Sequence, residues 1–337
     1  MKISSGKRKG LEAIADSRGI VAAVAIDQRS ALRGLFARFM GIEPENVPSE
    51  KLIQFKEAVS RILTPHSSAI LLDPEYGLAA ARQRAKNAGL LLAYERTGYD
   101  KKVPGRLPGL LDHWSVERLA ETGADGVKLL LYYSSLSSAE VNDIKHAFVE
   151  RVGAECAAAD VPFFLELVSY ADGMEDKGID FGRVKPEIVS NGMAEFSKPE
   201  YRVDVLKVGV PVDLKYLQGS PLVGDQILYT REEAERHFQR AAECAQLPFI
   251  YLSEGVSNEG FLHALELAAE AGVKFSGVLC GRATWKEGVP VFVDKGPAAL
   301  DDWLRSEGIR NVENVNRRLA GATPWFAVHR PSVAQLG

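Results

Sequence analysis

A (β/α)8 barrel, an α/β fold with a closed parallel sheet, is the class this sequence predicts, and three observations predict it. Eight short apolar runs recur along 337 residues, each continuous rather than alternating, as strands covered on both faces are. Longer stretches with helical periodicity fill the gaps, and strand–helix–strand crossovers of this kind demand a parallel sheet. Length fits too, because such barrels hold roughly 250 residues or more in a single domain. The expected division is one domain over residues 1–337, with a capping helix in 1–19, the barrel in 20–300, and helices with a tail in 301–337.

Taken in order, the stretch 6–16 reads as a helix placed to close the bottom of the barrel. The first strand is 20–26 (IVAAVAI), followed by a helix over 28–39. Further strands fall at 68–72 (SAILL), 89–94 (GLLLAY), 125–132 (DGVKLLLY) and 162–167 (PFFLEL). The last three are 203–208 (VDVLKV), 247–252 (LPFIYL) and 276–280 (SGVLC). Helical periodicity runs over 49–63, 79–88, 116–122, 138–159, 231–246 and 261–271. Two irregular stretches, 170–185 and 210–228, are long for βα loops. They follow the fifth and sixth strands, at the end where a barrel builds its active site. The second, with Gly219 and Gly224, is the expected closing loop.

Composition narrows the class. At 46% hydrophobic and 26% charged, with a net charge of −4, the chain has an ample core and no general basic surface. That argues against nucleic acid and anionic membrane as partners while leaving room for a local phosphate site. Cys156, Cys244 and Cys280 are scattered without CxxC or metal spacing, the pattern of reduced thiols in a cytoplasm. No apolar signal core opens the chain, and the run from Ile20 to Ile26 is too short to span a bilayer. A cytoplasmic location is expected. Histidines 66, 113, 146, 237, 263 and 329 show no HxH or HExxH spacing and none ends a strand, so neither a metal nor a cofactor is called for.

Three charges stand inside runs that should be buried: Lys128 in GVKLLL, Glu166 in PFFLEL and Lys207 in VDVLKV. Desolvating an ammonium costs several kcal/mol, and the same desolvation favours the neutral amine that a covalent lysine nucleophile needs. Other polar groups close other strands: Asp27 the first, Asp73 the second, Ser253 the seventh and Arg282 the eighth. Each has a plain structural reading. Lys207 could snorkel to the rim, Glu166 could merely pair with a lysine, and Asp27 could cap the helix after it. Asp73 precedes Pro74 and reads as a turn former. Ser253 and Arg282 could be a helix cap and a rim ion pair. Their coincidence on successive strands is the informative point, and it suggests lysine-dependent cleavage of a carbon–carbon bond.

At this set of residues the chain resembles a family. The segments VAIDQR, ILLDPEYG, GVKLLLYY, FFLELVSY, DVLKVGVPVD, YLSEGVS and GVLCGRATW are similar to class I tagatose-1,6-bisphosphate aldolases over essentially the whole chain. The strand-by-strand pattern also resembles class I fructose-bisphosphate aldolases. The resemblance implies a Schiff-base aldolase in which Lys207 attacks the C2 carbonyl of a ketose phosphate. It implies that Glu166 shuttles protons, that Lys128 repels a proton on Lys207 and steadies developing negative oxygen, and that Asp27 accepts from substrate hydroxyls. Ser253, Gly255, Gly281 and Arg282 would hold the 1-phosphate, with Gln28 and Arg29 as further substrate contacts. The implied partner is a small phosphosugar, and a homodimer or homotetramer is expected of such a barrel.

Two positions depart from the family pattern. Val208-Gly209-Val210-Pro211 stands where the group reads Val-Glu-Val-Pro, and Ser253-Glu254-Gly255 where it reads Ser-Ala-Gly. Gly209 shares strand parity with Lys207, so a carboxylate has moved between neighbouring rim positions, which is expected to alter the aldehyde side of the substrate. A related ketose 1-phosphate, such as 6-deoxy-6-sulfofructose 1-phosphate, therefore stays open. A phosphosugar isomerase or epimerase would use Glu166 as base and Lys128 as electrophile, and Lys207→Arg would then keep activity. A catalytically silent sugar-phosphate sensor would show ligand-induced stabilisation without turnover.

Overall fold

A computed structural model describes residues 3–97 and 103–328, and its eight parallel strands close into a barrel in chain order. They are β1 (Val21–Ala25), β2 (Ala69–Leu72), β3 (Gly89–Ala93), β4 (Gly126–Tyr133), β5 (Phe163–Ser169), β6 (Val205–Val208), β7 (Phe249–Leu252) and β8 (Gly277–Cys280). Each predicted run is a strand, with ends displaced by at most two residues. β8 pairs back onto β1 with Gly277 opposite Val21, so no edge is left open.

The helices are α1 (Ser5–Ile14), α2 (Ser30–Met40), α3 (Ser49–Leu63), α4 (Leu78–Gln83), α5 (Val116–Glu121) and α6 (Ala139–Ala158). They continue as α7 (Ile179–Phe196), α8 (Arg231–Cys244), α9 (Asn258–Glu270), α10 (Arg282–Trp285), α11 (Gly288–Trp303) and α12 (Ile309–Arg318). Side-chain caps start several: Ser115, Ser138 and Ser257 each accept an N–H of the first turn, and Thr230 forms a capping box with Glu233.

Sequence and structure part company at three helices. α4 ends at Gln83 rather than near 88, because Arg84 is already extended. α7 begins inside the expected loop 170–185, with Gly182, Pro186 and Gly192 within it. Pro186 cannot donate to the carbonyl of Gly182, and the Tyr229 hydroxyl donates to that carbonyl instead, at 2.5 Å. α11 runs through the expected boundary at 300, with a kink at Gly296, whose φ is 81°. Residues 329–337 of the expected tail lie outside the described residues.

Alternate residues of each strand face the barrel axis. Val21, Ala23 and Ala25 of β1 meet Leu71, Leu91, Phe164, Val205, Ile250 and Leu279 there, with Leu11 and Ile14 of α1. The helix thus plugs the bottom, as expected, and Lys7 ties it to the chain before β6 through a buried 2.6 Å pair with Asp204. The other strand faces pack under the helices in a larger core. Among the described residues no helix is long and apolar enough to cross a membrane.

Candidate active site

Above the apolar floor of the barrel, the same inward parity turns polar. Glu166 on β5 lies in register with Lys207 on β6, and Leu130 of β4 with Glu166, which sets Lys128 two residues lower. Lys207 Nζ donates to Glu166 Oε2 at 2.8 Å. Lys128 Nζ stands 3.1 Å from that oxygen and 2.6 Å from both Asp27 Oδ2 and Glu95 Oε1. Lys128 is fully buried and Lys207 is 3% exposed, so Lys207 does not snorkel to water. Taking such charges out of solvent is tolerable only because each is paired. With Arg29 Nη2 at 3.6 Å from Glu95 Oε1 and Nη1 at 2.6 Å from Glu75 Oε2, three cations face four carboxylates.

Electrostatics follow from that count. Burial would raise the Asp27 carboxyl, yet the Lys128 and Lys207 ammoniums outweigh it and hold Asp27 well below the usual carboxylate range. Burial likewise pulls Lys128 down, but Asp27, Glu166 and Glu95 together raise it well above an ordinary lysine. Lys128 is a fixed cation.

The segment after β1 is held from below. Lys56 of α3 donates to the carbonyls of Ile26 (2.7 Å) and Gln28 (3.0 Å) and pairs with Asp73. Asp73 also accepts the N–H groups of Glu75 and Tyr76, so it is the expected turn former and a buried counter-ion besides. Asp27 does not cap a helix: α2 starts at Ser30 without a side-chain cap, and the Asp27 carboxylate points at Lys128. Gln28 Nε2 donates to Asp27 Oδ1 at 3.1 Å, while its Oε1 has no partner. Arg29 is committed inside the protein, Nη1 to Glu75 and Nη2 to the Glu95 carbonyl, both at 2.6 Å, leaving only Nε unpartnered.

After β7 and β8 lies the second part of the site. Gly255 has φ 76°, and a Cβ there would lie 2.6 Å from Arg282 Cζ, so the guanidinium rests directly on that backbone. Gly281 precedes Arg282, the first residue of α10. Arg282 has no carboxylate partner among the described residues, unlike Lys128, Lys207 and Arg29, and the ion-pair reading fails. The cap reading of Ser253 fails as well, since Ser257 caps α9. An unpaired guanidinium beside an open glycine backbone suits a phosphate.

The two departures from the family pattern occupy one space. A Cβ on Gly209 would lie 2.1 Å from Glu254 Oε1, and Glu254, at φ 48°, pairs through Oε2 with Lys185 of α7 at 2.6 Å. The Glu254 carboxylate therefore stands beside the Gly255–Arg282 cradle. A cavity of about 240 Å³ adjoins it, with Val210, Leu214, Leu252, Ser253 and Glu254 in its wall and Lys177 at the edge.

Sequence reasoning missed Glu95, Lys56 and Lys185. Glu95 carried a signal, for it follows the third apolar run as Asp27 follows the first. Lys56 and Lys185 sit on amphipathic helices, where nothing local separates a buried lysine from a solvated one.

A closed barrel whose mouth gathers two buried lysines among carboxylates, with an unpaired arginine on a neighbouring strand end, defines a barrel enzyme with a lysine-centred active site. The model of the DeoC/LacD family aldolases matches residues 21–287. Tagatose 1,6-diphosphate aldolase 2 of Enterococcus faecalis is 50% identical over 329 residues, covering 97% of this chain and 98% of that one. The tagatose 1,6-diphosphate aldolases of Staphylococcus aureus and Listeria monocytogenes are 47% and 44% identical over 96% and 97% of this chain, and 99% and 95% of theirs. The chain belongs to the DeoC/LacD family of aldolases. Among solved structures, a Schiff-base-forming fructose-1,6-bisphosphate aldolase matches with TM-score 0.54 and 16% identity, over 91% of this chain and 97% of the other. A Corynebacterium glutamicum protein matches with TM-score 0.56 and 18% identity over 89% and 88%. These two likenesses speak for the fold.

Proposed function

We propose that this aldolase is of class I and cleaves a ketose 1,6-bisphosphate, tagatose 1,6-bisphosphate foremost, to dihydroxyacetone phosphate and glyceraldehyde 3-phosphate. The relatives' names support the sugar. The 2.8 Å contact between Lys207 and Glu166 supports the mechanism and is the observation that carries it. Lys207, as free amine, adds to C2; Glu166 supplies the proton with which the C2 oxygen departs as water, leaving an iminium. Asp27 takes the proton of the C4 hydroxyl, the C3–C4 electrons move into the iminium, and the aldehyde leaves. The enamine is protonated at C3, and hydrolysis releases the ketone phosphate and restores Lys207.

Lys128 holds Asp27 and Glu166 in place for these transfers. Arg282 with Ser253, Gly255 and Gly281 receives the 1-phosphate, and Gln28 lies toward the rest of the substrate, whereas Arg29, expected there too, is spent on Glu75 and Glu95 inside the protein. The protein works as a homodimer or homotetramer, a point for light scattering on the purified chain.

Borohydride reduction in the presence of dihydroxyacetone phosphate tests the mechanism. A reduced adduct on the Lys207 peptide, absent in Lys207→Met, is expected by mass spectrometry; ligand binding without any adduct would refute it. A panel of tagatose and fructose 1,6-bisphosphates and 6-deoxy-6-sulfofructose 1-phosphate then tests the sugar. Turnover confined to the sulfonate would overturn the bisphosphate.

A further inference from the structure

Lys128 has more anions around it than one ammonium needs. Its three carboxylates come from β5 and from the residues just past β1 and β3, and two of them exchange protons if the proposed cleavage runs. Glu166 gives and regains a proton around dehydration, and Asp27 takes one at bond cleavage. Whenever either becomes neutral, Lys128 loses an ionic partner.

Glu95 is held differently. It is 2% exposed and stands just past β3. Oε1 lies 2.6 Å from Lys128 Nζ, and Oε2 accepts the N–H of Leu130 at 3.0 Å. Leu130 belongs to the same strand as Lys128, so one carboxylate grips both the side chain and the strand that carries it. Arg29 secures Glu95 from behind, donating to its carbonyl at 2.6 Å and standing 3.6 Å from Oε1. Neither carboxylate oxygen is left to face a substrate.

We propose that Glu95 is a positioning residue: it keeps the Lys128 ammonium charged and pinned between Asp27 and Glu166 while those two carboxylates trade protons. This rests on the reading of Lys207 as the imine-forming lysine. The charged groups facing Lys128 are Asp27 from β1, Glu95 from β3, Glu166 from β5 and Lys207 from β6, with Arg29 behind Glu95. The Lys56–Asp73 pair lies on the far side of the Ile26 and Gln28 carbonyls. Of the three carboxylates that raise Lys128 against its burial, Glu95 alone stays out of the reaction.

Glu95→Gln keeps the shape and an acceptor for Leu130 but removes the charge. The expected result is a kcat lower by about tenfold or more, a KM within about twofold, and an alkaline limb of the kcat–pH profile displaced acidward by about one unit or more. Glu95→Asp, which restores the charge at a longer reach, is expected to recover part of both effects. Borohydride trapping of Lys207 with dihydroxyacetone phosphate is expected to persist in both variants. An unmoved alkaline limb would overturn the proposal, including a kcat loss that merely follows a fall in melting temperature. Should Glu95→Gln not fold, Glu95→Asp decides alone by the presence or absence of a smaller acidward displacement. Failure of the parent reading would show separately, as no adduct on the unsubstituted enzyme.

Discussion

Replacing Lys128 with methionine takes one ammonium from among three buried carboxylates, and the cost can be apportioned from what each keeps. Glu166 retains Lys207 at 2.8 Å, and Glu95 retains Arg29 at 3.6 Å. Asp27 keeps the neutral Gln28 Nε2 at 3.1 Å and the more distant Lys207 and Lys56 charges. Removing one partner of a buried pair costs about 3–5 kcal/mol, and Asp27 should bear most of it. The pH dependence gives the sign. In the parent protein the Asp27 carboxyl is held low, so its stabilisation is fully present above the unfolded value of about 3.9 and fades only as pH falls toward the folded value. In the variant the folded value moves above the unfolded one, so the penalty is present at high pH and is relieved on acidification. Denaturant unfolding at pH 8 and pH 5 is therefore expected to show a gap of about 3–5 kcal/mol that narrows in acid, with kcat down by about 100-fold or more. A gap below about 1 kcal/mol at both pH values, or one that widens in acid, would refute the ionic account of this site.

Gly255→Ala puts a side chain at φ 76° with its Cβ 2.6 Å from Arg282 Cζ; steady-state kinetics are expected to show KM raised about tenfold with a smaller change in kcat, and an unchanged KM would remove Arg282 from the phosphate site. Gly209→Ala puts a Cβ 2.1 Å from Glu254 Oε1, so the flexible carboxylate must swing aside and its Lys185 pair is loosened; a small fall in melting temperature is expected, and a smaller one in a Glu254→Ala background; equal losses in both would disprove the shared space. Burial, opposed by Asp172 and helped by Arg106, lowers Lys145 to about 8, against about 10.4 unfolded. The unfolded chain thus binds more protons between these values, and stability should climb from pH 8 toward 10; Lys145→Met is expected to flatten that rise, and an unaltered slope would count against it.

Much of this architecture was legible because parallel strands covered on both faces must be apolar throughout. A lysine or glutamate inside such a run stands out against its neighbours, which is how Lys128, Glu166 and Lys207 were found. Glu95 stands one residue beyond its run as Asp27 and Asp73 do beyond theirs, so the same pattern was there to be read. α7 starts within a stretch read as loop and runs through Pro186; the carbonyl that Pro186 leaves without a donor is met by Tyr229, a residue 43 positions further along the chain, and no local pattern reports such a partner. Lys56 and Lys185 face the same difficulty: their burial is decided by what packs over their helices.

The charge of the centre bears on why an imine would suit it. Lys207, Lys128 and Arg29 face four carboxylates, Asp27, Glu95, Glu166 and Glu75, and the negative excess grows by one when Lys207 is the free amine that the proposed mechanism requires. Formation of the protonated imine returns a positive charge to the same nitrogen, against the same Glu166 oxygen. The pocket is thereby matched to the iminium more closely than to the amine, as differential stabilisation of a reacting species requires. Because Lys128 and Arg29 are already spent on internal carboxylates, neither offers its charge to a phosphate without breaking a buried pair. Arg282, which carries no such pair, is left to meet the dianion. A site wired in this way should tolerate loss of the phosphate cradle in kcat more readily than loss of any member of the lysine–carboxylate set.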